Sequence, residues 1–148
     1  MKKLLGIMVL GLFWSNISFA QSMVSLKKYS KENQNDLEDP IVQTYILKRC
    51  GAAYLYAASI TKSKDQATAD SLTEAYDKVA VFAGRILMSK MNWTAEVAAE
   101  SLEKDMDNML KYYDQDGSNS FAKTGVYIMD NYIGADLKYC KGIVEAIK

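Results

Sequence analysis

The sequence contains no histidine and only one proline among its 148 residues. Histidine supplies most general bases near neutral pH, the usual haem ligands and part of the common zinc sites. Its absence excludes catalysis by a histidine base and these haem and zinc sites. The glycine patterns of P-loop, dinucleotide-binding and nucleophile-elbow proteins are missing as well. Carboxylates are therefore the main groups left for catalysis, and no pair of them is singled out by the sequence.

Long apolar segments after residue 20 and a strong excess of one charge are also missing. The whole chain has 18 basic and 18 acidic side chains; the first twenty residues hold two of the basic ones, which leaves 16 against 18, or −2. Nucleic-acid binding usually requires a basic face, so we expect no nucleic-acid partner. A bilayer-spanning helix needs about twenty apolar residues, so we also expect no stable membrane insertion.

The first twenty residues have the layout of a secretory signal peptide. Lys2 and Lys3 precede an apolar run over 4–14, and Ser18 and Ala20 occupy the small-residue positions before a cut after Ala20. The apolar run is too short to cross a bilayer core of about 30 Å as a helix. We therefore predict cleavage after Ala20 and a periplasmic or extracellular location.

Short amphipathic segments predict an all-α chain. Residues 21–39 are polar and without a sustained period, and we interpret them as a flexible leader in which 23–29 could dock. Asp39 and Pro40 then predict a helix over 40–61, apolar around most of its circumference and therefore central. Further helices are predicted over 63–91, 94–113 and 120–132, and from residue 134 onward. The short connections predict one domain over 40–148, a small antiparallel bundle of four to five helices.

Two cysteines remain in the predicted mature chain, Cys50 and Cys140. An even pair in an oxidising compartment predicts one disulfide, here linking the first and last helices of the bundle. A redox-active pair usually has the closer Cys-x-x-Cys spacing, so we interpret this disulfide as structural.

Arg49 lies within the apolar stripe of the helix over 40–61, beside Cys50. A buried charge requires a partner, and Asp136 lies one turn before Cys140 on the same side of the last helix. The disulfide would bring the two together, so we predict a buried Arg49–Asp136 ion pair. Asp130 is a competing partner, and an Arg49 side chain that extends along the stripe to water is the alternative.

The segment "YYDQDGSNSF" partly resembles an EF-hand loop. With Gly117 at the loop glycine, Asp114 and Asp116 occupy ligand positions three and five. Tyr112 at position one and Lys123 at position twelve cannot serve as the required ligands, so we predict no metal site. We interpret the segment as a turn with Gly117 at its hinge.

An acidic ridge on the helix over 94–113, together with two adjacent tyrosines, is the candidate interaction surface. A solvated helix face is the default for such a run, and docking of a basic protein partner is the functional alternative. The residues are Glu96, Glu100, Glu103, Asp107, Tyr112 and Tyr113.

The general plan combines an export signal, a small helical domain and cysteines in its first and last helices. This plan resembles that of helical periplasmic immunity proteins that block secreted toxins, and that of small exported acid-stress chaperones. The resemblance is one of layout, so no residue roles carry over. We predict a non-catalytic envelope protein without a cofactor that binds a protein partner or a ligand. The alternatives are a carboxylate-dependent hydrolase of envelope polysaccharide and an acid-stress chaperone-like protein.

Overall fold

The computed structural model describes residues 23–128 and 131–147, and every regular element in these ranges is helical. The all-α class is therefore confirmed. None of the described helices is both long and apolar enough to cross a membrane. The predicted signal peptide and Asp130 lie outside the described residues. The described residues form five α-helices, α1 (Leu26–Glu32), α2 (Pro40–Thr61), α3 (Gln66–Met91), α4 (Ala95–Thr124) and α5 (Tyr132–Ala146), with a 3-10 turn at Gln34–Asp36.

Polar side chains cap the start of each long helix. Asp39 accepts a hydrogen bond from the N–H of Ile41 in front of Pro40, so α2 begins where the sequence predicts. The start of α3 differs from the prediction, because Asp65 is its N-cap and helix begins after it, at residue 66 rather than 63. The Asp65 carboxylate accepts both the N–H and the hydroxyl of Thr68, which fixes this later start.

The central element is α2, which packs against α3, α4 and α5. Almost every side chain between Thr44 and Ala58 is buried, as its apolar circumference predicts. Lys48 is one of the buried charged residues of α2, and its ammonium group lies 2.6 Å from the Asp105 carboxylate of α4. Because most of α2 is enclosed, its exposed residues are confined to its two ends, at Ile41 and Ser59.

The predicted turn around Gly117 is wrong, because α4 continues for 30 residues to Thr124. Gly117 is buried against Tyr56 of α2, and a Cβ at this position would lie only 1.7 Å from the Tyr56 hydroxyl. Asp116 beside it accepts a hydrogen bond from the Tyr132 hydroxyl at 2.7 Å. The glycine therefore allows close helix packing, and the chain turns later, at Gly125 with its φ of 74°.

The polar segment before α2 also differs from the flexible leader predicted for 21–39. Its residues Leu26–Glu32 form α1, which packs against α5. Leu26 is fully buried, and the Ser30 hydroxyl hydrogen-bonds the Tyr139 hydroxyl at 2.7 Å. These contacts order a segment that has no helical period of its own. With this added helix, Cys50 lies in the second helix rather than the first.

Candidate functional site

A fully buried polar cluster lies between α2, α4 and α5. Arg49 and Asp136 form an ion pair through Nη2 and Oδ2, and neither side chain has exposed surface. The Tyr113 hydroxyl donates to the same Asp136 oxygen at 2.6 Å, and Arg49 Nε donates to Tyr113 at 3.4 Å. The partner that the sequence predicts for Arg49 is the one it has in the structure.

The segment that leads into α1 completes this cluster with its backbone. Arg49 Nη1 donates to the carbonyl oxygen of Val24 at 2.8 Å, and the N–H of Leu26 donates to Asp136 Oδ1 at 2.5 Å. Backbone contacts of this kind leave no mark on side-chain identity, so sequence reasoning missed Val24 and Leu26. The cluster satisfies both charges by hydrogen bonds, as a buried ion pair requires.

The predicted interaction surface includes Tyr113, and this part of the prediction is wrong because the side chain is fully buried. The signal was present in the sequence, since Tyr113 continues the apolar stripe of α4 while Tyr112 faces away from it. Tyr112 is exposed, and so are Glu96, Glu100 and Glu103 along α4. Asp107 is exposed as well. The docking role of this acidic face stays a prediction.

The guanidinium of Arg49 also lies over two aromatic rings, 5.9 Å from the centroids of Tyr45 and Tyr132. Burial alone would lower the pKa of Arg49, but the electrostatic influence of Tyr113 and Asp136 outweighs it and the pKa is raised. Burial raises the pKa of Tyr113 above its ordinary value as well. Arg49 is therefore held charged and Tyr113 neutral. Such an enclosed cluster can fasten helices together but offers no surface to a substrate.

The predicted disulfide between Cys50 and Cys140 is confirmed, with 5.4 Å between the Cα atoms. Both cysteines are fully buried, and the described residues contain no free cysteine. The two cysteines are 90 residues apart, and closing a loop of this length stabilises a fold by about 4.6 kcal/mol in the chain-entropy model. The disulfide joins α2 to α5 directly beside the ion pair, so both interactions hold the same two helices together.

The EF-hand interpretation of Asp114 and Asp116 loses its basis, because both residues lie within the continuous helix α4. A calcium loop requires a tight turn at its glycine, and Gly117 is helical here. Across 23–128 and 131–147, no group of three or more His, Cys, Asp or Glu side chains could hold a metal ion.

An open groove of about 510 Å³, which we call the Phe82 groove, lies between α2, α3 and α5. Arg85 and Lys90 are the charged residues that line it, and Gln43, Ser89 and Tyr139 are the polar ones. Phe82 is 38% exposed on its wall, whereas Ile46, Leu47 and Ile86 beneath are buried. Its apolar lining residues are Leu37, Ile46, Leu47, Phe82, Ile86 and Ile143.

A second groove, the Tyr54 groove, has a volume of about 640 Å³ and two carboxylates in its lining, those of Asp65 and Glu145. Hydrogen bonds from the Thr68 side chain and backbone lower the pKa of Asp65. Glu145 faces Lys141 at 3.9 Å on the surface. A carboxyl group that donates a proton near neutral pH needs a raised pKa, and Asp65 has the opposite shift.

The described surface thus includes these two grooves and an exposed acidic face, while the buried cluster is closed to ligands. The Phe82 groove combines an apolar floor with charge of a single sign. The Tyr54 groove carries both signs. Comparison of the chain with protein-family models, with curated protein sequences and with solved structures found no match.

Proposed function

We propose that this is an exported protein that acts by binding a ligand or protein partner in the cell envelope, without catalysis. The Phe82 groove is its binding site. The observation that carries the proposal is an open groove of about 510 Å³ with a mainly apolar lining. Small-molecule sites typically measure about 300–1,000 Å³ and have mainly apolar walls with a few polar groups.

Apolar surface in the groove supplies the driving force for binding. Phe82 exposes over a third of its side chain there, next to the lining residues Leu37 and Ile143. Covering such surface is favourable by roughly 25 cal/mol for each Å² removed from water. The reactive groups Arg49, Asp136 and Tyr113 are fully buried elsewhere, which supports binding over catalysis.

A rigid scaffold supports the same proposal. Short connections join α2 to α3 and α3 to α4, and they favour an antiparallel bundle. The Cys50–Cys140 disulfide fixes α5 against α2, and these helices form two walls of the groove. A groove that is formed before its ligand arrives binds at a lower cost in conformational entropy.

The test uses the mature, oxidised chain from Gln21 and the neutral apolar fluorophore N-phenylnaphthylamine. We expect its fluorescence to rise on binding, and Phe82→Asp to weaken binding by at least about tenfold, because a charge would replace the apolar wall. The control is Val81→Asp, since Val81 is the neighbouring exposed residue on α3 and does not line the groove. Melting temperatures of both variants report whether the fold is kept.

Saturable binding that Phe82→Asp weakens by at least about tenfold and Val81→Asp leaves intact supports the proposed site. The absence of binding to the wild-type chain, or equal loss in both variants, contradicts it.

A carboxylate-dependent hydrolase is the second candidate, and the pairing of Asp65 with Glu145 in the lining of the Tyr54 groove favours it. It is the weaker candidate because the Asp65 carboxylate is occupied by Thr68. Hydrolysis of envelope polysaccharide by the mature chain, lost in both Asp65→Asn and Glu145→Gln, would establish this candidate in place of the first.

A further inference from the structure

We propose that the ligand of the Phe82 groove is an amphiphile: an alkyl chain that ends in an anionic group, held by Arg85 and Lys90. This inference rests on the proposed function, and it names the chemical class that the groove binds. It follows from the charged residues of the groove and from its aliphatic lining.

The charge of the groove has a single sign. Arg85 and Lys90 are exposed residues of α3 on either side of Ile86 and Ser89, and none of the described residues that line the groove carries a carboxylate. Neither cation forms a salt bridge within the part of the chain that the structure describes. Two cations without an acidic partner favour an anionic group at this wall, and the guanidinium of Arg85 matches a carboxylate or phosphate in two-point geometry.

The floor of the groove is mostly aliphatic, with Leu37, Ile46, Leu47, Ile86 and Ile143 in its lining. Tyr139 contributes little polarity, because its hydroxyl is engaged by Ser30 at 2.7 Å. Gln43 and Ser89 are the other polar uncharged residues of the lining, so hydrogen-bonding groups for a sugar or a peptide backbone are few. An alkyl chain needs no hydrogen-bonding group, and it binds to an aliphatic groove through dispersion and the hydrophobic effect.

The length of the ligand chain provides the first test. Calorimetric titration of the mature, oxidised chain with octanoate, decanoate and dodecanoate, each below its micelle concentration, should give affinity that rises about fourfold for each buried methylene. Acetate should not bind measurably. An affinity that is independent of chain length overturns the alkyl part of the proposal.

The headgroup provides the second test. Dodecanoate and dodecyl phosphate should both bind more tightly than dodecanol, and dodecyltrimethylammonium should bind most weakly. The ranking of the two anions then separates a fatty acid from a phosphate-bearing lipid as the source. Rising salt concentration should weaken binding of both anions, because the cations at the rim are exposed.

The Arg85→Glu/Lys90→Glu variant should weaken dodecanoate binding by at least about tenfold, while dodecanol binding stays unchanged. Its control is Lys78→Glu/Lys104→Glu, which changes the net charge by the same amount at exposed residues outside the groove. Because all four side chains are exposed, we expect both variants to fold, and their melting temperatures check this.

Equal affinity for dodecanoate and dodecanol overturns the anionic class and leaves the proposed function standing. Equal weakening of dodecanoate by the two double variants also overturns the role of Arg85 and Lys90. If neither the alkyl series nor N-phenylnaphthylamine binds, the proposed function fails with the inference. Binding of an acidic amphipathic peptide, without binding of any alkyl anion, overturns the inference in favour of a protein partner.

Discussion

Two stacked tyrosines in the core have opposite polar environments. The rings of Tyr56 and Tyr113 lie 6.3 Å apart between their centroids. The Tyr113 hydroxyl hydrogen-bonds Asp136 and Arg49. The Tyr56 hydroxyl is buried against Gly117 and has no hydrogen-bond partner among the described residues. The hydroxyl group is therefore hydrogen-bonded in Tyr113, whereas in Tyr56 its burial without a partner lowers the stability of the fold.

We expect Tyr56→Phe to leave the free energy of unfolding unchanged or to raise it by about 1 kcal/mol, because an unsatisfied polar group is removed. We expect Tyr113→Phe to lower it by about 1–3 kcal/mol, because a hydrogen bond to a buried charge is lost. Urea unfolding of the oxidised chain measures both. A loss in Tyr56→Phe as large as that in Tyr113→Phe would mean that the Tyr56 hydroxyl has a partner after all.

The ion pair of the buried cluster was predictable, whereas the hydrogen bond that Tyr113 makes to it was not. Arg49 in an apolar stripe requires a carboxylate, and the two cysteines indicate which helix supplies it. Which side chain would share the Asp136 oxygen depends on how α4 rotates against α2. The apolar stripe of α4 indicates that Tyr113 rather than Tyr112 is buried, but it does not indicate which side chains of other helices Tyr113 contacts.

Helix α4 shows how a glycine can be misinterpreted. Asp, Asn, Ser and Gly together usually indicate a turn, and these residues do so in "DQDGSNS". The competing role is close packing, which depends on the residue across the interface. In this protein that residue is Tyr56, distant in sequence, so local pattern could not reveal it.

A matched pair of glycine substitutions tests this interpretation. Gly117→Ala should lower the free energy of unfolding by about 1–3 kcal/mol, because the new methyl group would collide with the Tyr56 side chain. Gly142→Ala in α5 should raise it by about 0.5–1 kcal/mol, since nothing lies within 4 Å and alanine favours helix. Chemical unfolding followed by circular dichroism measures both. A Gly117→Ala variant that gains stability as Gly142→Ala does would contradict the packing role.

At the scale of the whole molecule, the sequence predicts those parts of the architecture in which a helix cap or a cysteine pair agrees with the pattern of apolar residues. The bounds of α2 and the disulfide partner follow from a cap, an apolar circumference and a pair of cysteines. The docking of α1 does not, because it depends on one leucine, one serine and backbone groups that contact α5. A short polar helix of this kind is stabilised by tertiary contacts rather than by its own sequence.

Alkaline pH should destabilise the whole fold. Burial, reinforced by the charge of Asp114, raises the pKa of Tyr56 to about 12. Burial and the hydrogen bond to Asp116 also raise the pKa of Tyr132. The folded state therefore keeps these protons after an unfolded tyrosine, with its pKa of about 10, has lost its own. Stability is fully present below about pH 10 and falls as the pH rises toward about 12.

Urea midpoints measured at a series of alkaline pH values check this expectation, with tyrosinate absorbance reporting ionisation. Tyr56→Phe is the internal control, because it removes one of the shifted groups and should make the alkaline loss shallower. A midpoint that stays constant while the tyrosines ionise would contradict the prediction.

The buried cluster also sets an order of events during synthesis. A ribosome produces Val24 and Leu26 early, Arg49 and Tyr113 later, and Asp136 near the end of the chain. Arg49 has no carboxylate partner in the cluster until Asp136 has been made. A chain cut short by a stop codon before Asp136 would therefore keep an unpaired charge where the native core closes. Such a truncated product should be open to the proteases that remove unfinished chains.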